Sequence, residues 1–143
     1  YKSVPIYLLY VLVFSLSLPQ QVTTLLLALA GLAAAAYLSI CMNYIIGATA
    51  LWTTESSWLY WMNHALINLL AGFFIPVEWL PRWLQTVSWI SPYPYLLYVP
   101  TRIYLGFEDA SRLLGSLVWC VLMTLACLGV TAVVRRKVEV QGG

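Results

Sequence analysis

Apolar residues run through this chain in long blocks, and polar residues gather between them. The blocks cover residues 4–18, 22–51, 56–75 and 113–134. A bilayer-crossing helix needs about 20 mostly apolar residues, because each rises about 1.5 Å through a hydrocarbon layer about 30 Å thick. The second block holds no charge, and the fourth is bounded by Arg112 and Arg135. The first is somewhat short and stops at Pro19-Gln20-Gln21, while the third is interrupted by Asn63, His64 and Asn68. This pattern predicts an all-α fold, a polytopic transmembrane helix bundle of four spans.

Between the third and fourth blocks the pattern changes. Pro76, Pro81, Pro92, Pro94 and Pro100 cut residues 76–106 into pieces of about ten, and proline both removes a donor and breaks helices. Pieces of that length suit re-entrant or interfacial helices rather than spans. Trp79, Trp83, Trp89, Tyr93, Tyr95, Tyr98 and Tyr104 crowd the same stretch. Such rings favour the headgroup level, where the body is buried and the polar tip stays wet. Two short helices are expected, at about 79–91 and 95–105, on one membrane face.

Composition strengthens the case for lipid. Of 143 residues 62% are hydrophobic and 8% charged, against about 25% charged in soluble domains. One soluble core of this size could not bury so much apolar surface. The net charge of +2 and the lack of a basic stripe argue against nucleic acid. Cys41, Cys120 and Cys127 lie inside apolar runs without CxxC spacing, which reads as packing rather than zinc or a disulfide framework.

Lys and Arg set orientation. Arg135-Arg136-Lys137 predicts a cytoplasmic C-terminus, an external proline-rich segment, a cytoplasmic turn at 52–55 and an external turn at 19–21. Lys2 agrees. Arg82, Arg102 and Arg112 fall on the external side, where they must snorkel. The start, Tyr1-Lys2-Ser3, reads as a cut inside a longer protein, and the basic flank with its short polar tail as a natural end.

Several residues are candidates for function. Polar groups in a span normally face the bundle or a wet cavity, so Asn63, His64 and Asn68 are candidates for a translocation path or subunit interface. Interhelical hydrogen bonding alone would also explain them. His64 and Asn68, four apart, share a face. His64 has no second His or carboxylate in register to make a metal site. Glu78 and Arg82 are spaced for a salt bridge and are candidates for an external gate. Gly31/Ala35 and Ala30/Ala34 suit close helix packing, including at a dimer seam. Enzyme chemistry has little to work with. There is no GxSxG elbow, and Glu55 and Glu78 lie 23 residues apart, roughly 35 Å along a helix.

From residue 50 onward a set of short motifs occurs in a telling order. Leu51-Trp52-Thr53-Thr54-Glu55 precedes a helix, with Thr53 or Thr54 placed to cap it and Glu55 in its first turn. Gly72-Phe73-Phe74-Ile75-Pro76 is followed by Leu80-Pro81, then by Pro94-Tyr95, Pro100 and Gly106, and the chain closes on Val138 to Gly143 after its basic flank. In order and spacing this resembles the C-terminal half of a permease subunit of type-2 ABC exporters, in a bacterial branch of that family. Residues 1–50 match only as apolar helix. The resemblance implies a six-span fold with an external re-entrant helix pair before the last span. Two spans and a cytoplasmic coupling helix of that fold have no counterpart here. It further implies a bacterial inner membrane, a second permease subunit and an ATP-binding cassette subunit that holds ATP and Mg. This chain itself carries no GxxxxGK[ST] loop and is expected to bind no cofactor. Glu55 becomes a candidate for coupling to the ATP-binding partner.

The leading expectation is therefore an exporter permease that forms the translocation path, with an amphipathic or lipidic cargo. A non-transporting membrane scaffold is the alternative. An intramembrane enzyme is disfavoured by the few titratable groups.

Overall fold

The computed structural model describes residues 22–50 and 57–141, with side chains up to Arg135. The expected span at 4–18, the capping threonines and Glu55 lie outside the described residues. Among the described residues five α-helices and two 3₁₀ turns follow in order. They are α1 Val22–Thr49, α2 Ser57–Leu70, the turn Val77–Trp79, α3 Arg82–Ile90, the turn Tyr93–Leu96, α4 Tyr98–Tyr104 and α5 Arg112–Gln141. Two of these, α1 and residues Arg112–Arg135 of α5, are long and apolar enough to cross a membrane. A soluble core helix would pass the same test only by being buried. In the most apolar stretch of α5 no residue is buried, and Leu117, Val118, Val121, Leu125 and Leu128 all face outward. So large an exposed apolar surface is stable only in lipid or against a partner, which marks the chain as a membrane protein.

The two long helices pack against each other in parallel. Tyr37 Oη meets Thr124 Oγ1 at 2.6 Å, and Tyr44 Oη meets Thr131 Oγ1 at 2.7 Å. Between these rungs the Cys127 thiol donates to the Cys41 carbonyl, and one step before the first rung the Cys120 thiol donates to the Ala34 carbonyl. Positions 34, 37, 41 and 44 thus pair with 120, 124, 127 and 131, at alternating steps of three and four, as in a heptad seam. Both series rise together, so α1 and α5 run in the same direction and the chain returns between them. Each threonine commits its one proton to the carbonyl four residues back, Cys120 or Cys127, which leaves the tyrosine as donor in each rung. The rung should be modest in strength. Tyr37→Phe is expected to cost about 0.6 kcal/mol, the mean for interhelical hydrogen bonds in bilayers. A double-mutant cycle with Thr124→Val, read by unfolding in mixed micelles, checks it.

The short elements tuck against the Val22 and Arg112 ends of this pair. Ala28, Gly31, Ala35, Leu38 and Met42 form the buried stripe of α1 at helical spacing. A side chain on Gly31 would meet Pro100 of α4 and Leu113 of α5 at 3.4 Å. The Gly31/Ala35 pair therefore serves packing within this chain, not a seam with a second copy, while Ala30 is exposed. Ala28 and Leu38 join Tyr95, Val99 and Ile103 in the main core, and Val77, Leu80 and Tyr98 form a smaller one beside it.

Several boundaries differ from the pattern-based expectation, and α5 continues past 134 to Gln141. α2 ends at Leu70 rather than running to 75, because Gly72 turns the chain at φ +76. Its 14 residues rise about 21 Å. The helix expected at 79–91 begins only at Arg82, because Pro81 separates it from the turn before it. The one expected at 95–105 is split into a 3₁₀ turn and α4 at Leu97. Pro100 is tolerated because it lies in the first turn of α4, where its missing N–H needs no partner.

Candidate functional site

Four charged side chains converge where α4, the loop before α5 and the Val77–Trp79 turn meet. Arg102, in the last turn of α4, donates through Nη1 to Glu78 and to Tyr98 Oη at 3.0 Å. Its Nε lies 3.7 Å from Glu108 Oε1. Glu108 in turn accepts from Arg112 Nε at 3.0 Å. Both guanidinium groups also lie over rings, Arg102 over Tyr98 and Phe107, and Arg112 over Trp89 at 4.6 Å. One planar fork thus reaches two carboxylates and a phenol at once, which an ammonium could not do. Burial pushes the Tyr98 phenol above its ordinary pKa, with the Glu78 carboxylate adding to the rise and Arg102 opposing it, so it stays a neutral partner. Two of the three arginines that stand against the expected orientation, Arg102 and Arg112, are thereby held in ion pairs. The aromatic ring faces supply the stacking that guanidinium favours.

The expected Glu78–Arg82 pair does not form. Pro81 lies between them, so they do not share a helix. Glu78 turns to Arg102 and Arg82 is exposed. The acid and base of this pair are 24 residues apart, a distance that leaves no periodic trace. Glu108 and Arg112 are four apart, but Glu108 precedes α5, which begins at Arg112, so the loop rather than a shared helix face brings them together.

Asn63, His64 and Asn68 are not gathered into one patch. Asn63 is buried and accepts from Tyr93 Oη at 3.3 Å through Oδ1. His64, about 100° further round the helix, is exposed, and Asn68 is half-buried near the helix end. Burial also raises the pKa of the Tyr93 phenol, which keeps it a donor to Asn63. Ser88 is a polar contact that sequence reading passed over. It is fully buried, and its hydroxyl donates to the Leu70 carbonyl at 2.8 Å. That bond satisfies one of the four free carbonyls at the end of α2 and fixes α3 against it. Among the described residues no cluster of His, Cys, Asp or Glu could hold a metal ion.

Removing the hub cation tests what the hub contributes. Arg102→Met should lower stability by about 1–2 kcal/mol, less than for a fully buried pair because Glu78 is more than half exposed. Arg102→Lys should recover only part of this. Thermal unfolding in detergent at low and high salt checks both, and the deficit should shrink as salt rises.

No family model and no solved structure matches the chain. Over 73 residues it is 38% identical to a probable multidrug ABC transporter permease, YbhR, of Escherichia coli K12, and equally to the same protein of strain O157:H7. The match covers 49% of this chain and 19% of each relative, so the chain spans about a fifth of their length. This likeness supports a relation to ABC-transporter permeases across half of the chain.

Proposed function

We propose that this chain is part of a permease subunit of an ATP-binding cassette exporter. The observation that carries the proposal is the 38% identity to a probable multidrug permease. The parallel pairing of α1 and α5 supports it, since two helices crossing in one direction require a return between them. In this reading the segments 4–18 and 56–75, the second of which contains α2, complete four crossings, the short helices lie on the external face, and the C-terminus is in the cytoplasm of a bacterium. A second permease subunit and an ATP-binding subunit, which holds ATP and Mg, complete the assembly. The turn bearing Glu55 touches the ATP-binding partner. Asn63, His64 and Asn68 lie along the path or its subunit interface. Transport alternates two arrangements of the bundle, and ATP on the partner favours one of them. The exposed apolar walls and the relative's description both fit an amphipathic, drug-like or lipidic cargo.

The test is ATP hydrolysis by the full-length protein reconstituted with its ATP-binding subunit in lipid nanodiscs. Amphipathic compounds are expected to raise the rate. A complex that forms yet hydrolyses ATP at one unchanging rate across a broad panel of amphiphiles would instead fit a scaffold.

A further inference from the structure

The charged hub forms one edge of a cleft of about 570 Å³ between the end of α2 and α4. Sites for small molecules span about 300–1,000 Å³ and combine apolar walls with a few placed polar groups. Phe73, Trp79 and Phe107 wall this cleft and are 62%, 79% and 69% exposed; the Arg102 guanidinium lies over the Phe107 ring, and the exposed Phe73 and Trp79 rings are the apolar surface a ligand can reach. Leu97 and Leu105 extend the apolar surface.

The charges in the cleft are unequally available. The Arg102 guanidinium is occupied by Glu78, Tyr98 and Glu108 and lies over Phe107, and its side chain is only 24% exposed. The Glu78 side chain is 57% exposed, and its hydrogen bond from Arg102 is to Oε1. What a ligand meets is therefore a carboxylate beside two aromatic rings. Carboxylate and ring faces both attract positive charge, and the rings bury apolar surface at the same time.

We propose that this cleft binds organic cations bearing apolar rings, with Glu78 as the counter-charge and Trp79 as the stacking wall. The proposal concerns equilibrium binding and does not depend on transport. It is tested on the full-length protein in nanodiscs, without nucleotide, against empty nanodiscs. The probes are tritiated tetraphenylphosphonium and tetraphenylborate, ions of nearly the same shape and opposite charge. Saturable binding of the phosphonium is expected, with the borate at least about tenfold weaker, the factor that about 1.4 kcal/mol gives. Glu78→Gln should weaken phosphonium binding about tenfold and strengthen borate binding, because it removes the carboxylate and uncovers Arg102. Trp79→Ala should weaken phosphonium binding about fivefold without disturbing the ion pair, which keeps the test informative if Glu78→Gln lowers stability. No saturable phosphonium binding, equal binding of the two ions, or native affinity in Trp79→Ala overturns the proposal.

Discussion

Gly115→Ala should destabilise the protein by about 1–3 kcal/mol, the cost of forcing extra volume into a packed site. The sign is the informative part, because the same change inside a helix normally stabilises by about 1 kcal/mol. A methyl group at position 115 would lie 2.6 Å from both Cε1 and Oη of Tyr95 and 2.8 Å from its Cζ, well inside the 3.5–4.0 Å optimum of carbon contacts. The tyrosine has little room to retreat. It is buried in the main core and sits edge-on to Trp89. Gly129, in the same helix, has nothing within 4 Å of such a methyl, so Gly129→Ala should be neutral or slightly stabilising. Tyr95→Leu should recover much of the loss in Gly115→Ala, a coupling expected only of residues in contact. Unfolding in mixed micelles measures all four, and a Gly115→Ala protein as stable as Gly129→Ala would refute the close approach.

Gly72→Ala is expected to cost about 2–4 kcal/mol from two sources. The first is conformational. Gly72 sits at φ +76, and an L side chain there costs about 1–2 kcal/mol. The second is overlap, since the added carbon would lie 2.9 Å from Cδ2 of Tyr98. Gly106 separates the two sources. It has nearly the same φ, +75, but nothing within 4 Å, so Gly106→Ala should show the conformational cost alone. Pushing Tyr98 also disturbs the phenol that Arg102 reaches, and Gly72 lines the cleft. Thermal unfolding gives the difference between the two variants. If both lose the same stability, Tyr98 moves freely and the turn does not hold the hub in place.

Much of the architecture was legible because hydrophobic length is a one-dimensional property. The charge-free run ending near 51 contains α1, and the run between Arg112 and Arg135 lies within α5, which continues through the basic flank to Gln141. The prolines of 76–106 were legible as breakers, and that region is indeed a series of short elements. What the pattern missed was where each proline would cut. Counting four residues from Glu78 to Arg82 assumed one continuous helix, and Pro81 ended that assumption. By pattern Gly72–Ile75 reads as the end of the third span, because its left-handed glycine and its contact with Tyr98 depend on a ring 26 residues away. Likewise Asn63 and His64 are neighbours in sequence but point about 100° apart, one into the chain and one outward.

The sequence by itself determined that this chain is helical and built for lipid, because the free energy of placing apolar side chains in hydrocarbon adds up residue by residue along a run. It also carried the permease resemblance, which lies in the order of short motifs. Only the tertiary structure decided which charges pair, which glycines are indispensable, and that α1 and α5 lie parallel with tyrosine–threonine rungs between them. Those outcomes depend on distances between segments 24 to 87 residues apart. Electrostatic and steric energies change steeply over an ångström, and no periodicity along the chain records so fine a distance.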